Sequence, residues 1–441
     1  MARRSNSLAV WINGIHAAVW SASGRGDELQ YMDSWMTSRL GRPLSISLPF
    51  NLDNLPLRGD RVRYYFDNLL PDSEPIRRRI QTRYRTRTQE PFDLLASIGR
   101  ECVGAVQLLP QGETPKDVRS VQFETLTDSE VEAALNQVTA PATPIELEED
   151  DFRISIAGAQ EKSAFLRNEG RWCRPLGATP TTHIFKLPLG LIGGIRADMT
   201  GSVENEWLCS RLLHHFGIPV AKCEIGQFGA QKALIVERFD RQFDSAGRYW
   251  VRLVQEDFCQ ALALPSSMKY ERDGGPGILE IAGVLRNSMN RDLDLVTFLK
   301  SQILFWMLAA GDGHAKNFSL RMLAEGRFTL TPLYDVLSYW PIVGKGPTKY
   351  SYKKTRLAMA VRGKNKHYFL GEIQRRHFNE TAAMIGLGSD AEALIQDALT
   401  RTPYVISEIQ KDLPAGFPDE ILTPVLEGLT RSAKSLQDMP T

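Results

Sequence analysis

The spacing of apolar and polar residues changes character along the chain. Near the start, SLAVWINGIHAAVW places short apolar runs on either side of Asn13-Gly14. Those two residue types tolerate positive φ at both centres of a tight hairpin turn, so two strands are expected around them. RPLSISLPF is also strand-like, whereas RVRYYFDNLLPDSEPIRRRIQTRY and EPFDLLASIG carry helical spacing broken at Pro71 and Pro75. From Val138 to Asp151 the run VTAPATPIELEEDD is polar and proline-containing, the makeup of a linker, and a domain boundary is placed there.

Phe152 to about Arg252 is strand-rich. FRISIAG and SAFLR are expected to pair across a tight loop, THIFKLP and KALIVERFD to add strands, and SVENEWLCSRLLHHFG to form an amphipathic helix closed at Gly217. KLPLGLIGGIRADMTGS reads as a glycine-rich, mobile loop that faces substrate. Beyond Leu253 the spacing is mostly helical, through QEDFCQALAL, LVTFLKSQILFWMLAA and FLGEIQRRHFNETAAMIG. The pattern divides the chain into 1–140, 151–252 and 253–441 and gives an α+β class with a mainly α-helical C-terminal part.

Composition narrows the function classes. In 441 residues, Lys plus Arg nearly cancel Asp plus Glu, for a formal net charge of +1. No global field draws the chain to nucleic acid or membrane, so such contacts would be local. KYSYKKTR, VRGKNKH and the run Arg77, Arg78, Arg79, Arg83, Arg85 and Arg87 are the local basic stretches, each either a phosphate contact or a solvated face. The five cysteines are scattered without zinc-site spacing, which suits reduced thiols in a cytoplasm. The N-terminus opens basic but Asn13, Gly14 and His16 interrupt it, making a poor signal peptide, and nothing approaches the roughly 20 apolar residues of a membrane span.

The candidate chemistry centres on LAAGDGHAKNFSL. An apolar helix should end near Gly311 and present Asp312, His314, Lys316 and Asn317 at the rim of the core. FSLRMLAEGRFTLTPLYDV then reads as a hairpin around Ala324-Glu325-Gly326 whose returning strand brings Asp335 back beside Asn317. Two carboxylates and an amide oxygen form the hard oxygen set that Mg²⁺ prefers when it also holds phosphates. The plainer reading, an Asp cap and a turn, accounts for Asp312 but has no use for Asp335.

Phosphoryl transfer also needs cations and backbone N–H groups around the nucleotide. Ala157, Gly158, Ala159, Gln160, Glu161 and Lys162 form a short small-residue loop that would let N–H groups approach phosphate, or else an ordinary turn. Lys186 lies inside an apolar strand and must either snorkel or meet an anion. The following helix offers Glu204 and Glu206 as partners, with Glu206 preferred. Glu237, Arg238 and Phe239 end a strand where backbone groups could bond adenine and Phe239 could pack on its face; a simple strand exit is the alternative.

Taken in order, RPLSISLP, YYFDNLLPDSEPIR, PFDLLASIGRECVGAV, DFRISIAGAQEK, TPTTHIFKLP, VERFDR, QEDFCQALALPSSMKYE, DGGPGI, GDGHAKNFS and LTPLYDV resemble the HipA family of serine/threonine kinase toxins from bacterial toxin–antitoxin pairs. The resemblance covers nearly the whole chain. It implies a two-lobed, protein-kinase-like fold of the phosphoinositide-kinase branch, with an extra N-terminal α/β subdomain. It further implies Asp312 as catalytic base, Asn317 and Asp335 as Mg²⁺ ligands, and Ala157 to Lys162 with Lys186, Glu237 to Phe239, His314 and Lys316 around ATP. His314 and Lys316 would face the phosphates or support the loop. Ser155 matches the family's autophosphorylation site, where about −1.5 to −2 of added charge should displace the phosphate loop. The resemblance also implies a HipB-like helix-turn-helix antitoxin, operator DNA reached through that partner, and glutamyl-tRNA synthetase as protein substrate. Two rival readings are a catalytically silent co-repressor scaffold, which would require a lost base or metal ligand, and a metal-dependent phosphohydrolase, which leaves Lys186 and the Ala157 to Lys162 loop without roles.

Overall fold

The computed structural model describes residues 6–140, 155–158 and 160–441. Most of the expected linker and the start of FRISIAG lie outside the described residues, as does Ala159.

The N-terminal segment folds as a five-stranded antiparallel sheet, in the order Leu57–Arg58, Gly26–Tyr31, Ile15–Ser23, Ser7–Ile12 and Val106–Pro110. Asn13 and Gly14 close its first hairpin with φ of 49° and 81°, both in the left-handed region that a two-residue turn of this kind demands. The helices Asp60–Asp67 and Pro91–Ile98 cover one face, where Trp20 stacks on Phe66 at 3.9 Å between ring centroids. The expected strand RPLSISLPF is instead a succession of turns. Its polar backbone finds partners from side chains: the Leu44 N–H donates to the Tyr31 hydroxyl, that hydroxyl donates to the Leu48 carbonyl, and the Ile46 N–H donates to Glu256 at 2.9 Å. With those groups satisfied, no neighbouring strand is required.

Glu256 receives this bond while nearly fully buried, and its second oxygen has no partner. Burial pushes its carboxyl up to about 8. The folded chain therefore holds a proton there that the unfolded chain has released, and stability falls as pH rises from the ordinary carboxylate range to about 8. Glu256→Gln keeps the acceptor for Ile46 and removes the titration. The variant should be more stable than the parent at pH 8 and differ little at pH 4.5, measured by denaturant unfolding at both values; an unchanged pH dependence would rule this out.

The second sheet has six antiparallel strands, in the order Cys223–Phe228, Gln231–Glu237, His183–Lys186, Lys162–Asn168, Arg171–Pro175 and Phe123–Thr125. The outermost strand and the helix Asp128–Thr139 come from before the expected boundary. Val131 and Leu135 of that helix pack among Phe165, Phe185 and Phe228 of the sheet. A division at residue 140 thus assigns to the first segment elements whose apolar faces are covered only by the second. FRISIAG also departs from expectation: Ser155 to Ala157 form no strand, and Gly158 makes an isolated bridge to Pro71 of the N-terminal segment. Lys162–Asn168 pairs with Arg171–Pro175 instead.

The helix Ser202–His215 lies against this sheet and ends where Gly217 turns at φ 83°. Leu189 to Met199 forms a hairpin, its strands Gly190–Ile192 and Ala197–Met199 packed beside Leu337 and Ile342. The C-terminal part is helical, as its spacing predicts, with Ile278–Leu285, Arg291–Met307, Arg375–Ile385, Glu392–Asp412 and Asp419–Asp438. The expected hairpin forms from Ser319–Met322 and Phe328–Leu330, and Arg356–Arg362 pairs with Lys366–Phe369 in a ribbon that carries the basic stretch VRGKNKH, while KYSYKKTR leads into it through the helical turn Tyr352–Lys354. One apolar core runs from the N-terminal sheet through the helix Ser202–His215 into the C-terminal helices, so these parts share side-chain packing and not merely a linker.

Candidate active site

The site lies in the cleft where the two sheets and the helical part meet, and its walls include Gly158, Lys186, Phe239, Asp312, His314 and Asp335. The catalytic-loop candidate begins where the helix Arg291–Met307 ends. The chain is released at Ala309, whose φ of 51° lets the Ala310 N–H bond back to Phe305 at 2.8 Å. Gly311 serves a different need. A Cβ there would lie 2.6 Å from the Tyr339 ring and 2.7 Å from the Arg356 carbonyl. Glycine is thus required for close approach and not for the helix end.

Beyond it, Ala315 to Asn317 make a single tight turn. The Asn317 amide donates to the Asp335 carbonyl at 3.1 Å, and its oxygen accepts from the His314 N–H at 3.3 Å. The hairpin therefore returns Asp335 to Asn317, as its spacing predicts. Asp335 holds φ 62°, a conformation uncommon for a residue other than glycine and concentrated at functional sites.

Lys186 sits on the central strand of the second sheet, paired with Lys162 on one side and Leu234 on the other. Its ammonium reaches Glu206 at 2.5 Å and Asp335 at 2.7 Å. Burial opposes its charge, but Asp335 and Glu206 outweigh that and hold its pKa above the usual lysine value. The same contacts, with Lys162, outweigh burial at Asp335 and keep its carboxylate below the usual range, so it is an anion at neutral pH. Glu204 bonds Lys232 instead, which settles the partner of Lys186 as Glu206.

Asp312 differs from Asp335. Burial raises its pKa, and the hydrogen bond from Tyr270, at 2.5 Å to Oδ1, only partly offsets the rise. His314 is buried with its ring edge-on to Tyr270 and its Nδ1 unpartnered; burial, and then Lys269, push it down to about 3, so the imidazole is neutral. Lys316 does not project freely toward a ligand. Its ammonium bonds Asn68 at 2.9 Å and pairs with Asp72 at 3.1 Å, while Asp72 also accepts from Lys269 at 2.9 Å. Burial alone would raise Asp72, but the two lysines outweigh it and hold it down to about 2. Lys316 thus supports the loop from the N-terminal segment.

On the facing wall, the Lys162 ammonium donates to the Ala157 carbonyl at 2.9 Å, Gln160 donates to the Leu187 carbonyl, and Glu161 pairs with Arg79. Gly158 has φ 114°, and a side chain there would collide with the Lys162 ammonium. Most of the arginine run is committed to acids in the same way, Arg77 to Asp67 and Arg78 to Glu74 among them, so it is a paired face. Ser155 is fully buried: its N–H donates to the Glu101 carbonyl and its hydroxyl to the Leu69 carbonyl, both at 2.8 Å. At the strand exit, Phe239 packs on Tyr334 at 5.7 Å between centroids and Glu237 is exposed. The Arg238 side chain is committed to a buried cluster with Glu101 and Asp240, and its N–H donates to the Thr182 carbonyl at 2.9 Å.

Sequence reasoning assigned no role to Asn68, Asp72, Lys269 or Tyr270, although all four stand inside quoted motifs. The contacts of Lys269 with Asp72 and of Asn68 with Lys316 cross 197 and 248 residues of sequence, that of Tyr270 with Asp312 crosses 42, and no local spacing encodes them.

The donor set fits a divalent cation with hard-oxygen preference. No cluster of three His, Cys, Asp or Glu side chains occurs among the described residues. The Asp335 carboxylate would supply one anionic ligand and the Asn317 amide oxygen, which here accepts the His314 N–H, a second; so sparse a protein share is expected when substrate phosphates complete the coordination of Mg²⁺.

Residues 154–406 match the family described as HipA-like C-terminal domain, and residues 8–109 match the HipA N-terminal domain. Among curated proteins, "Putative kinase Y4mE" of Sinorhizobium fredii is 31% identical over 334 residues, covering 75% of this chain and 77% of that protein. The serine/threonine-protein kinase toxin HipA of Shewanella oneidensis is 28% identical over 411 residues, covering 89% and 86%. Among solved structures, the Shewanella oneidensis MR-1 complex of HipA, HipB and operator DNA superposes with a TM-score of 0.76 at 24% identity, over 98% of this chain and 100% of that one. Its fold confirms the α+β, two-lobed architecture with an added N-terminal subdomain. A kinase thus accounts for a buried lysine joined to both a helix carboxylate and a hairpin aspartate, and the chain belongs to the HipA family of serine/threonine kinase toxins.

Proposed function

We propose that this chain transfers the γ-phosphoryl group of ATP to a protein serine, with Asp312 as base and Asn317 and Asp335 as the ligands of Mg²⁺. The observation that carries the reading is the Lys186 bridge to Glu206 and Asp335, which fixes a cation and an anion side by side at the mouth of the second sheet. When bound, Mg²⁺ supplies charge neutralisation across the phosphate oxygens. The chain's own residues do the rest. Lys186 neutralises phosphate, the Ala157 to Lys162 loop offers backbone N–H groups, and Glu237 to Phe239 hold the adenine. Asp312 accepts the proton of the acceptor hydroxyl as oxygen attacks phosphorus and the bond to the ADP leaving group breaks. Its raised pKa places it closer to neutrality than an exposed aspartate, as a proton acceptor requires.

Glutamyl-tRNA synthetase is the proposed protein substrate, which would make the chain a brake on translation and a cause of dormancy. A HipB-like antitoxin is the proposed partner through which the chain reaches operator DNA and co-represses its operon, consistent with the near-neutral net charge. No helix among the described residues is long and apolar enough to cross a membrane, and the proposed setting is the cytoplasm.

Ser155 is the proposed autophosphorylation site. A phosphate cannot occupy its buried position beside the Leu69 carbonyl, so modification would require Ser155 and the adjoining loop to leave the conformation seen here. Incubation with γ-labelled ATP and Mg²⁺, with and without glutamyl-tRNA synthetase, should label Ser155 and the synthetase. Ser155→Ala should lose self-labelling and keep transfer to the synthetase. Label persisting on that variant at parental stoichiometry would place the site elsewhere, and no transfer by the parent to either protein would leave the silent scaffold as the better reading.

A further inference from the structure

We propose that Tyr270 is a positioning residue that fixes the carboxylate plane of Asp312, leaving its second oxygen to face the acceptor hydroxyl. This rests on Asp312 as the base. An aspartate carboxylate turns readily about its terminal bond, and general-base transfer needs one oxygen held within hydrogen-bond reach of the acceptor. The Tyr270 hydroxyl donates to Asp312 Oδ1 at 2.5 Å, and its ring stands edge-on to His314, 4.9 Å between centroids at 85°. The same residue thus braces two side chains of the catalytic loop.

Tyr270 is itself held firmly. Its carbonyl accepts from the N–H groups of Asp273 and Gly275, both at 3.0 Å, and the preceding Lys269 carbonyl accepts from the Ala315 N–H of the catalytic loop at 3.2 Å. The next residue, Glu271, is buried and accepts from the Ala360 N–H at 2.7 Å and from Lys366 at 2.8 Å. The glycines of DGGPGI complete the brace: a side chain at Gly275 would collide with the Met268 carbonyl, and one at Gly277 with the Glu271 carboxylate. A tyrosine anchored on both sides is suited to hold a base in place. A hydroxyl that had to withdraw before substrate entered would need a freer segment.

The test is label incorporation from γ-labelled ATP and Mg²⁺ into the full chain, whichever residue accepts it, followed as a rate against ATP concentration. Tyr270→Phe removes one oxygen and keeps the ring. The maximal rate should fall about 10- to 100-fold, with the half-saturating ATP concentration unchanged within about twofold. Added to Asp312→Ala, the same substitution should cause no further loss, because it acts only through that carboxylate. Should the Asp312→Ala rate fall below detection, the split between maximal rate and half-saturation decides alone. Losses that multiply in the double variant, a raised half-saturating concentration at an unchanged maximal rate, or a faster Tyr270→Phe enzyme would each overturn the proposal. Parental activity in Asp312→Ala would instead remove the base assignment, and the positioning role with it.

Discussion

Asp312→Ala should lower phosphoryl transfer by roughly 10²–10⁴-fold, the usual contribution of a positioned general base, while leaving ATP affinity near the parental value. The two expectations separate because the nucleotide contacts proposed here lie elsewhere, at Lys186, Asp335 and the Ala157 to Lys162 loop. The loop itself should persist. The Asp312 carbonyl accepts the His314 N–H at 2.8 Å, a backbone bond that alanine retains, and Asn317 stays tied to the Asp335 carbonyl. Stability should change little. The variant leaves the Tyr270 hydroxyl without its acceptor, a cost of about 1 kcal/mol, but it also removes a carboxylate whose raised pKa shows that burial disfavours its charge. The measurements are initial rates with γ-labelled ATP, equilibrium nucleotide binding and a thermal unfolding midpoint. Transfer within tenfold of the parent would reject Asp312 as base, and loss of ATP binding together with activity would recast it as part of the nucleotide site.

The parts of the fold and of the site that sequence exposes are those joined by short chain paths. The Asn13-Gly14 turn, the hairpin from Phe318 to Asp335 and the helix carrying Glu206 follow from local residue types and spacing, and each stands where the pattern puts it. Lys186 was conspicuous because a lysine amid Ile184, Phe185 and Leu187 needs an anion if it is buried. Other features were illegible for a physical reason. RPLSISLPF has the composition of a strand, but Tyr31 and Glu256 satisfy its backbone from distant positions, and tertiary contacts override propensity. Arg238 stood in a nucleotide-binding position by order along the chain, yet its side chain is claimed by Glu101, which lies 137 residues earlier. Nor did local pattern show that Asp72 would brace Lys316, since that pairing exists only once the N-terminal segment docks on the helical part.

Glu101→Ala should be the most destabilising single change outside the apolar core. Glu101 is buried at 3% exposure, and its carboxylate meets three guanidinium groups whose side chains are at most 3% exposed. Oε1 accepts from Arg238 at 3.1 Å, from Arg241 at 3.0 Å and from both the N–H and hydroxyl of Thr181; Oε2 accepts from Arg252 at 2.7 Å. Those partners come from just before the Lys186 strand, the exit of the Gln231–Glu237 strand and the ribbon that follows, in which Arg241–Asp244 pairs with Tyr249–Arg252. Asp240 is the remaining acid of the cluster, bonded to Arg238 and to the Gly104 N–H. Alanine at position 101 would leave three buried cations with one carboxylate, and removing one partner of a buried ion pair costs about 3–5 kcal/mol because the other charge stays desolvated. Glu101→Gln keeps acceptor oxygen but no charge, so it should fall between parent and alanine. As a reference, Glu90 pairs with Arg63 at the surface, where both side chains are about half exposed, and Glu90→Ala should cost no more than about 1 kcal/mol. Denaturant unfolding of the three variants gives the order directly. A Glu101→Ala chain as stable as Glu90→Ala would mean that solvent reaches the arginines after all. If the order holds, ATP affinity should weaken in Glu101→Ala alongside stability, because Arg238 and Thr181, bonded to each other and both to the Glu101 carboxylate, adjoin two strands that flank the proposed nucleotide cleft.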